Sequence, residues 1–300
     1  MNISKLEQLF EIITLKPKRR LVVAYGQDGN TIGAVEKAVK LGLIEATLIG
    51  DKDIIQEVCK EKGIDSGIFE IIDEKDEKTS GIMAVDYVNE GKAHFIMKGL
   101  IGTDKYMRAI LDKQRGLLPP GGTLSHITVF ETENYHKLLI AADVAVIPKP
   151  DLKQKIAICS YLIKTARAFG IDQPKIAVIS ANEKVNPKIE SAVDASIISK
   201  MFDRGQIKGG VCDGPLALDV AINKESADIK GIKSAVAGDA DCLLFPNIEA
   251  GNVFYKTMTK FAKAELGACV VGAKAPAILP SRGDSELSKL YSIAIASLLS

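Results

Sequence analysis

The chain of 300 residues is poor in the side chains that metal and covalent chemistry most often use. Its three histidines, His94, His126 and His136, show no ligand spacing and no H-E-x-x-H occurs, so a histidine-rich metal centre is not expected. Five cysteines form an odd number with no C-x-x-C pair, which argues against a disulfide framework and against a cysteine-held zinc. Cys159, Cys242 and Cys269 sit inside apolar runs and read as small buried hydrophobes. A G-x-S-x-G elbow is absent, so a covalent serine hydrolase is poorly supported. Neither sign of charge dominates: 39 Lys+Arg against 38 Asp+Glu leave a net charge of +1. That balance gives no broad footprint for nucleic acid or an acidic membrane, while leaving room for the local basic pocket a small anion needs. The longest late apolar run, 291–299, is too short to span a bilayer. Glu7 and Glu11 stand where a signal peptide would carry its apolar stretch. A soluble, reduced, cytoplasmic protein is expected.

What is present is alternation. Hydrophobic residues at 47% and charged residues at 26% match a globular protein long enough for two domains or one large one. Short apolar runs at 21–25, 46–49, 68–72 and 94–97 predict strands. Between them, 31–41, 51–62 and 78–89 carry apolar positions at helical spacing, with Gly91 placed to close the last. This order predicts a mainly parallel sheet with helices on both faces. Pro119-Pro120-Gly121-Gly122 interrupts it, and 124–132 then alternates like an antiparallel strand. Strands are predicted at 137–142 and 144–147, and Asp151 as the cap of a helix over 152–169. Strands at 175–180, 207–212, 242–245, 268–272 and 277–279 follow, with helices at 187–202, 249–264 and from about 284. The expectation is two α/β lobes with a cleft between them. One takes residues 1–148 with a C-terminal helix at 285–300, the other 149–284.

Ligands bind such sheets beyond the carboxyl ends of strands, so chemistry is expected at the strand-to-helix junctions. Gly26, Gly29 and Gly33 follow a strand and open a helix, but their spacing is not that of a dinucleotide fingerprint. Gly267 to Lys274 does not reproduce a phosphate-binding P-loop, because the lysine comes one place too late. Four stretches carry more. Lys98-Gly99-Leu100-Ile101-Gly102-Thr103 runs into a helix with Lys105 and Arg108, offering helix-start N–H groups and cations to an anion. In Cys212-Asp213-Gly214-Pro215, Pro215 suits a first helical turn, and Asp213 is either a cap or a ligand. After Pro246, Asn247 is a candidate cap; Gly251 and Asn252 then stand in the first two turns, where propensity would choose otherwise. Such a choice points to close packing or to ligand contact. Finally, Ser281 and Arg282 put a hydroxyl beside a guanidinium fork suited to phosphate oxygens, with Asp284 or Ser285 as caps of the last helix.

Through these stretches the chain resembles the phosphate acyltransferases, phosphate acetyltransferase and phosphate butyryltransferase, over essentially its whole length. The telling segments are 212–219, 240–256 and Pro280-Ser281-Arg282. Leu124-Ser125-His126-Ile127 and Gly214-Pro215-Leu216-Ala217 make it more like the butyryl enzymes. The resemblance implies an isocitrate/isopropylmalate dehydrogenase-like fold with the active site in the interdomain cleft. It also implies the reaction acyl-CoA + phosphate ⇌ acyl phosphate + CoA, by direct transfer in a ternary complex, with no metal and no bound cofactor. Coenzyme A and its acyl thioester are then substrates, and a homodimer or larger homo-oligomer is implied. Ser281 matches a serine that hydrogen-bonds the thioester carbonyl oxygen; Arg282 and Arg108 match arginines holding phosphate or CoA oxygens. Lys98, Thr103, Asp213, Asn247, Gly251 and Lys256 join them as substrate-binding candidates. The chain departs from the acetyl enzymes at Ser288, where they carry an aspartate proposed to deprotonate the thiol, so Asp284 or Glu286 is the candidate base. The rival on the same fold is a metal- and NAD(P)-dependent decarboxylating dehydrogenase drawing on Asp213, Asp219, Asp239 and Asp241.

Overall fold

The structure, a computed structural model, describes residues 3–280 and 284–300. Ser281, Arg282 and Gly283 therefore lie outside the described residues. The fold is mixed α/β, and the chain packs into two compact units, one of Leu6–Leu124 with Leu266–Ser300, the other of Ser125–Glu265 with residues 3–5.

The first unit begins with α1 (Gln8–Thr14), β1 (Arg19–Ala24), α2 (Gly29–Lys40), β2 (Ile44–Gly50) and α3 (Lys52–Glu61). It continues with β3 (Glu70–Asp73), α4 (Glu77–Asn89), β4 (Phe95–Lys98) and α5 (Thr103–Ile110). In the second unit come β5 (Ser125–Glu131), β6 (Leu139–Ala142), α6 (Leu152–Ala168), β7 (Lys175–Ile179), α7 (Glu190–Asp203) and β8 (Val211–Leu216). Two short helices, α8 (Leu218–Ile222) and α9 (Lys224–Ile229), lead to β9 (Cys242–Leu244) and α10 (Ile248–Lys260). The chain then returns to the first unit through β10 (Glu265–Val271), β11 (Ala277–Ile278) and α11 (Glu286–Leu299).

In the first unit the strands run β3-β2-β1-β4-β11-β10, parallel throughout except for the β10–β11 pair. In the second they run β5-β6-β9-β7-β8, parallel except for β5–β6. Parallel strands covered on both faces need continuous rather than alternating apolar runs, and Leu21–Val22–Val23–Ala24 is wholly buried. The helices start where aspartates can satisfy their first N–H groups: Asp28 accepts from Thr31, Asp76 from Thr79, and Asp151 forms a full capping box with Gln154. Asn247 caps α10 by accepting from the Ala250 N–H, 2.9 Å away. Helix α11 is apolar almost all round, and every residue from Lys289 to Leu299 is buried.

Three expectations are corrected. Residues 144–147 form no strand: the Asp143 carboxylate, following a cis peptide bond, takes the N–H groups of Ala145 and Val146 at 2.8 Å and folds the backbone into a turn. The strand expected at 207–212 begins only at Val211, where pairing with Lys175 starts, so Gly214 and Pro215 lie within β8 across a cis bond. Pro215 is thus not in a first helical turn, and Asp213 is a strand residue rather than a helix cap. The unit borders also fall at 124/125 and 265/266, not at 148 and 284. The reason is sheet pairing: β5 pairs with β6 and β6 with β9, which ties residues 125–142 to the later chain.

Candidate functional site

At the carboxyl ends of β1 and β4 two connecting loops are zipped together. The Gly99 N–H donates to the Ala24 carbonyl and the Leu100 N–H to that of Tyr25, both at 2.9 Å. A Cβ on Gly99 would stand 2.5 Å from the Tyr25 carbonyl oxygen, so only glycine permits this approach. Beneath, Tyr106 of α5 donates its hydroxyl towards the carbonyls of Ile96 and Ile278, each 3.2 Å away, pinning β4 and β11 from the same side. Burial pushes the Tyr106 phenol well above its ordinary value, so it is a donor at any working pH.

A cavity of about 240 Å³ opens above these ends. Its walls are Asp28, Asn30 and Thr31 at the start of α2, Lys98, Gly99 and Leu100 after β4, Pro280 after β11, and Lys289 from α11. The position follows the general rule for parallel α/β sheets, and the contents suit an anion. Two lysines face the positive end of a twelve-residue helix. Lys98 is half-buried and its Nζ donates to the Gly99 and Ile101 carbonyls at 3.2 and 3.0 Å, so it also holds its own loop. Pro280, immediately before Ser281 in the chain, reaches this cavity; Ser281 and Arg282 themselves lie outside the described residues.

Arg108 is not part of that lining. It is exposed and lines a second cavity of about 280 Å³ with Lys78, Asp104, Asp112 and Arg115, floored by Ile82 and Val85. The start of α5, expected to offer N–H groups to an anion, has no side-chain cap but already has a carboxylate beside its N-cap residue, Gly102. Glu77 of α4 accepts from the Gly102 N–H at 2.6 Å and pairs with Lys105. Hydrogen bonds from Lys105 and Gly102 hold its carboxyl below the ordinary range. Thr103, the first residue of α5, is exposed.

Kinship with known proteins bears on the chain as a whole. The family described as "Phosphate acetyl/butaryl transferase" matches residues 4–82 and 77–297. This chain belongs to that family. A phosphate butyryltransferase of Clostridium acetobutylicum is 45% identical over 99% of this chain and 98% of its own length. A phosphate acetyltransferase of Thermotoga maritima is 39% identical over 98% of this chain and 99% of its own. The crystal structure of a branched-chain phosphotransacylase from Enterococcus faecalis superposes with a TM-score of 0.81 at 30% identity, covering 94% of this chain and 98% of that one.

The second unit carries the remaining candidates. Asp213 sits half-buried in β8 and accepts from the Gly214 N–H at 2.8 Å. Asn247 is committed as the α10 cap, and Lys256 is exposed with its Nζ 5.3 Å from the Tyr255 ring centre. Gly251 is explained by what lies against it. A Cβ there would lie 2.2 Å from the Asp143 carbonyl oxygen and 3.0 Å from the Val144 Cα, while Asn252 donates to the Val144 carbonyl at 3.1 Å. The helix is seated directly on backbone, so both residues answer to packing. The four aspartates of the rival reading are each engaged locally. Asp219 pairs with Lys230 at 3.0 Å and Asp241 with Lys137 at 2.7 Å. Against the cost of burial, hydrogen bonds from Lys175, Lys137 and His136 hold the Asp239 carboxyl far below its ordinary value. Among the described residues no group of three or more His, Cys, Asp or Glu is placed to hold a metal ion. No helix among them is long and apolar enough to cross a membrane.

Near the last helix, Ser285 rather than Asp284 is the cap, accepting from the Ser288 N–H at 3.0 Å. Glu286 pairs with Lys37 of α2 at 2.9 Å, and Asp284 is half-buried. Asn30, Thr31 and Lys289 are cavity residues that the sequence does not single out. The signal for the first two is the strand–glycine–helix junction at 26–33, which fits no dinucleotide fingerprint. For Lys289 it is a lone charge opening an apolar run.

Proposed function

We propose that this chain interconverts acyl-CoA and phosphate with acyl phosphate and CoA, with butyryl-CoA as the preferred thioester, by direct transfer in a ternary complex. The observation that carries the reading is 45% identity to a phosphate butyryltransferase across nearly the whole of both chains. The cavity supports it: cations and helix N–H groups converge where Pro280 leads into Ser281 and Arg282. In this reading phosphate attacks the thioester carbonyl while the Ser281 hydroxyl donates to its oxygen as negative charge develops there. Arg282 grips phosphate oxygens through its planar fork, and Arg108, from the neighbouring cavity, meets the phosphoryl groups of CoA. As the tetrahedral adduct collapses the carbon–sulfur bond breaks, CoA leaves, and Asp284 or Glu286 exchanges the thiol proton. Lys98, Thr103, Asp213 and Lys256 remain substrate contacts of this proposal, whereas Asn247 and Gly251 serve it by seating α10. The two units as lobes of an isocitrate dehydrogenase-like fold, a cytoplasmic location and a homo-oligomeric assembly belong to the same reading.

The Thermotoga relative favours acetyl-CoA as the second thioester to compare. The test is phosphate-dependent thiol release across acetyl-, propionyl-, butyryl- and branched-chain acyl-CoA. The highest kcat/KM is expected with butyryl-CoA; no phosphate-dependent release with any thioester refutes the activity. Ser281→Ala should lower turnover roughly 10²–10³-fold with little change in substrate affinity, as for the loss of one oxyanion donor.

A further inference from the structure

Lys289 is 5% exposed, the one charged residue in the buried stretch 289–299, and yet it lines the α2 cavity. Among the described residues its Nζ has no hydrogen-bond or ion-pair partner. Burying an ammonium group costs free energy unless an opposite charge meets it. The other wall of the same cavity makes the same demand. The Gly29 and Asn30 N–H groups at the start of α2 donate to no described acceptor, while Asp28 turns its carboxylate to the Thr31 N–H at 2.9 Å. Lys98 adds a second cation. A buried unpaired ammonium and a helix N-terminus facing one small cavity call for a compact anion with several acceptor oxygens.

We infer that Lys289 is a phosphate-holding residue: its ammonium and the first N–H groups of α2 grip a phosphoryl oxyanion from opposite sides of this cavity. The inference rests on the proposed transacylase activity only for the source of that oxyanion, which is either inorganic phosphate or a phosphoryl group of CoA.

The test measures binding of inorganic phosphate and, separately, of CoA to wild type, Lys289→Met and Lys289→Arg by titration calorimetry at constant ionic strength. Loss of a charge-assisted contact should weaken one of the two ligands roughly 10- to 100-fold in Lys289→Met, with Lys289→Arg recovering most of it. Weaker phosphate with unchanged CoA assigns the site to inorganic phosphate; the reverse assigns it to a phosphoryl group of CoA. Asn30→Asp is the second variant, because an acidic residue in the first turn suits the helix and leaves folding intact while placing a negative charge in the cavity. It should weaken the same ligand at least roughly threefold. If neither variant changes either affinity, or Asn30→Asp alone binds normally while Lys289→Met does not fold, the inference is overturned. Since the readout is binding, a wild type that grips phosphate but releases no CoA would overturn the proposed activity and leave this site standing.

Discussion

Replacing Gly251 with alanine sets two effects of opposite sign against each other, and the structure says which should win. Helix propensity alone favours alanine over glycine by about 1 kcal/mol in a helix interior. The new methyl, however, would stand 2.2 Å from the Asp143 carbonyl oxygen and 3.0 Å from the Val144 Cα, both backbone atoms. Ordinary contact between heavy atoms needs about 3.5 Å, so α10 must lift from the 143–144 backbone by more than about 1 Å. Overpacking of this kind costs about 1–3 kcal/mol. The lift also stretches the 3.1 Å bond from Asn252 to the Val144 carbonyl, a loss of about 1 kcal/mol. Taken together the variant should be less stable by about 1–3 kcal/mol, a Tm lower by roughly 2–5 °C. Differential scanning calorimetry of wild type and variant at one pH measures it. An equal or higher Tm would mean that the helix accommodates the methyl without cost. Gly251 would then be explained by ligand contact rather than by packing.

Three other outcomes are expected. Lys155 and Asp194 form a buried pair at 2.6 Å, with side chains 3% and 13% exposed, so Asp194→Asn should destabilise by about 3–5 kcal/mol. The double variant Lys155→Met/Asp194→Leu should regain most of that in urea melts, and additive losses would contradict it. His94 accepts the Arg20 backbone N–H at its Nδ1, 3.0 Å away, and burial followed by the Arg19 and Arg20 charges lowers its pKa. Its contribution is therefore full above the unfolded value of about 6.5 and is lost as pH falls through the lower folded value. The Tm gap between wild type and His94→Leu should narrow from about pH 7.5 to about pH 5, and a constant gap refutes this. Arg282→Lys should raise the KM for phosphate, because an ammonium cannot reproduce the bidentate fork; unchanged phosphate saturation would exclude that role.

Much of the fold is legible in the sequence because its signals are local. Alternating apolar runs and helical spacings mark the elements from β1 to α6 nearly at their observed bounds, and Asp151 and Asn247 are readable as caps from the chain alone. The misplacements occur where a partner outside the segment decides. Residues 144–147 look like a strand, yet the Asp143 carboxylate takes two of their N–H groups. Pro215 looks like a helix start, yet β7 recruits it into a strand. Arg108 shares a junction with Lys98 but lines a different cavity, because α4, which packs against α5, brings Lys78, Ile82 and Val85 to that side. Gly251 shows in the sequence only as a residue that helix propensity would not choose; the Asp143 carbonyl that demands it comes from a far earlier part of the chain.

By itself the sequence determined the α/β order, the caps and the kinship with phosphate acyltransferases, since each is written in residue types at short or fixed spacing. Only the tertiary structure decided that Asn30, Thr31, Lys98 and Lys289 border one cavity. Parallel pairing of β1, β4 and β11, with α2 and α11 following them, gathers at one end of a sheet residues that lie far apart along the chain. No periodicity within any one segment carries that information.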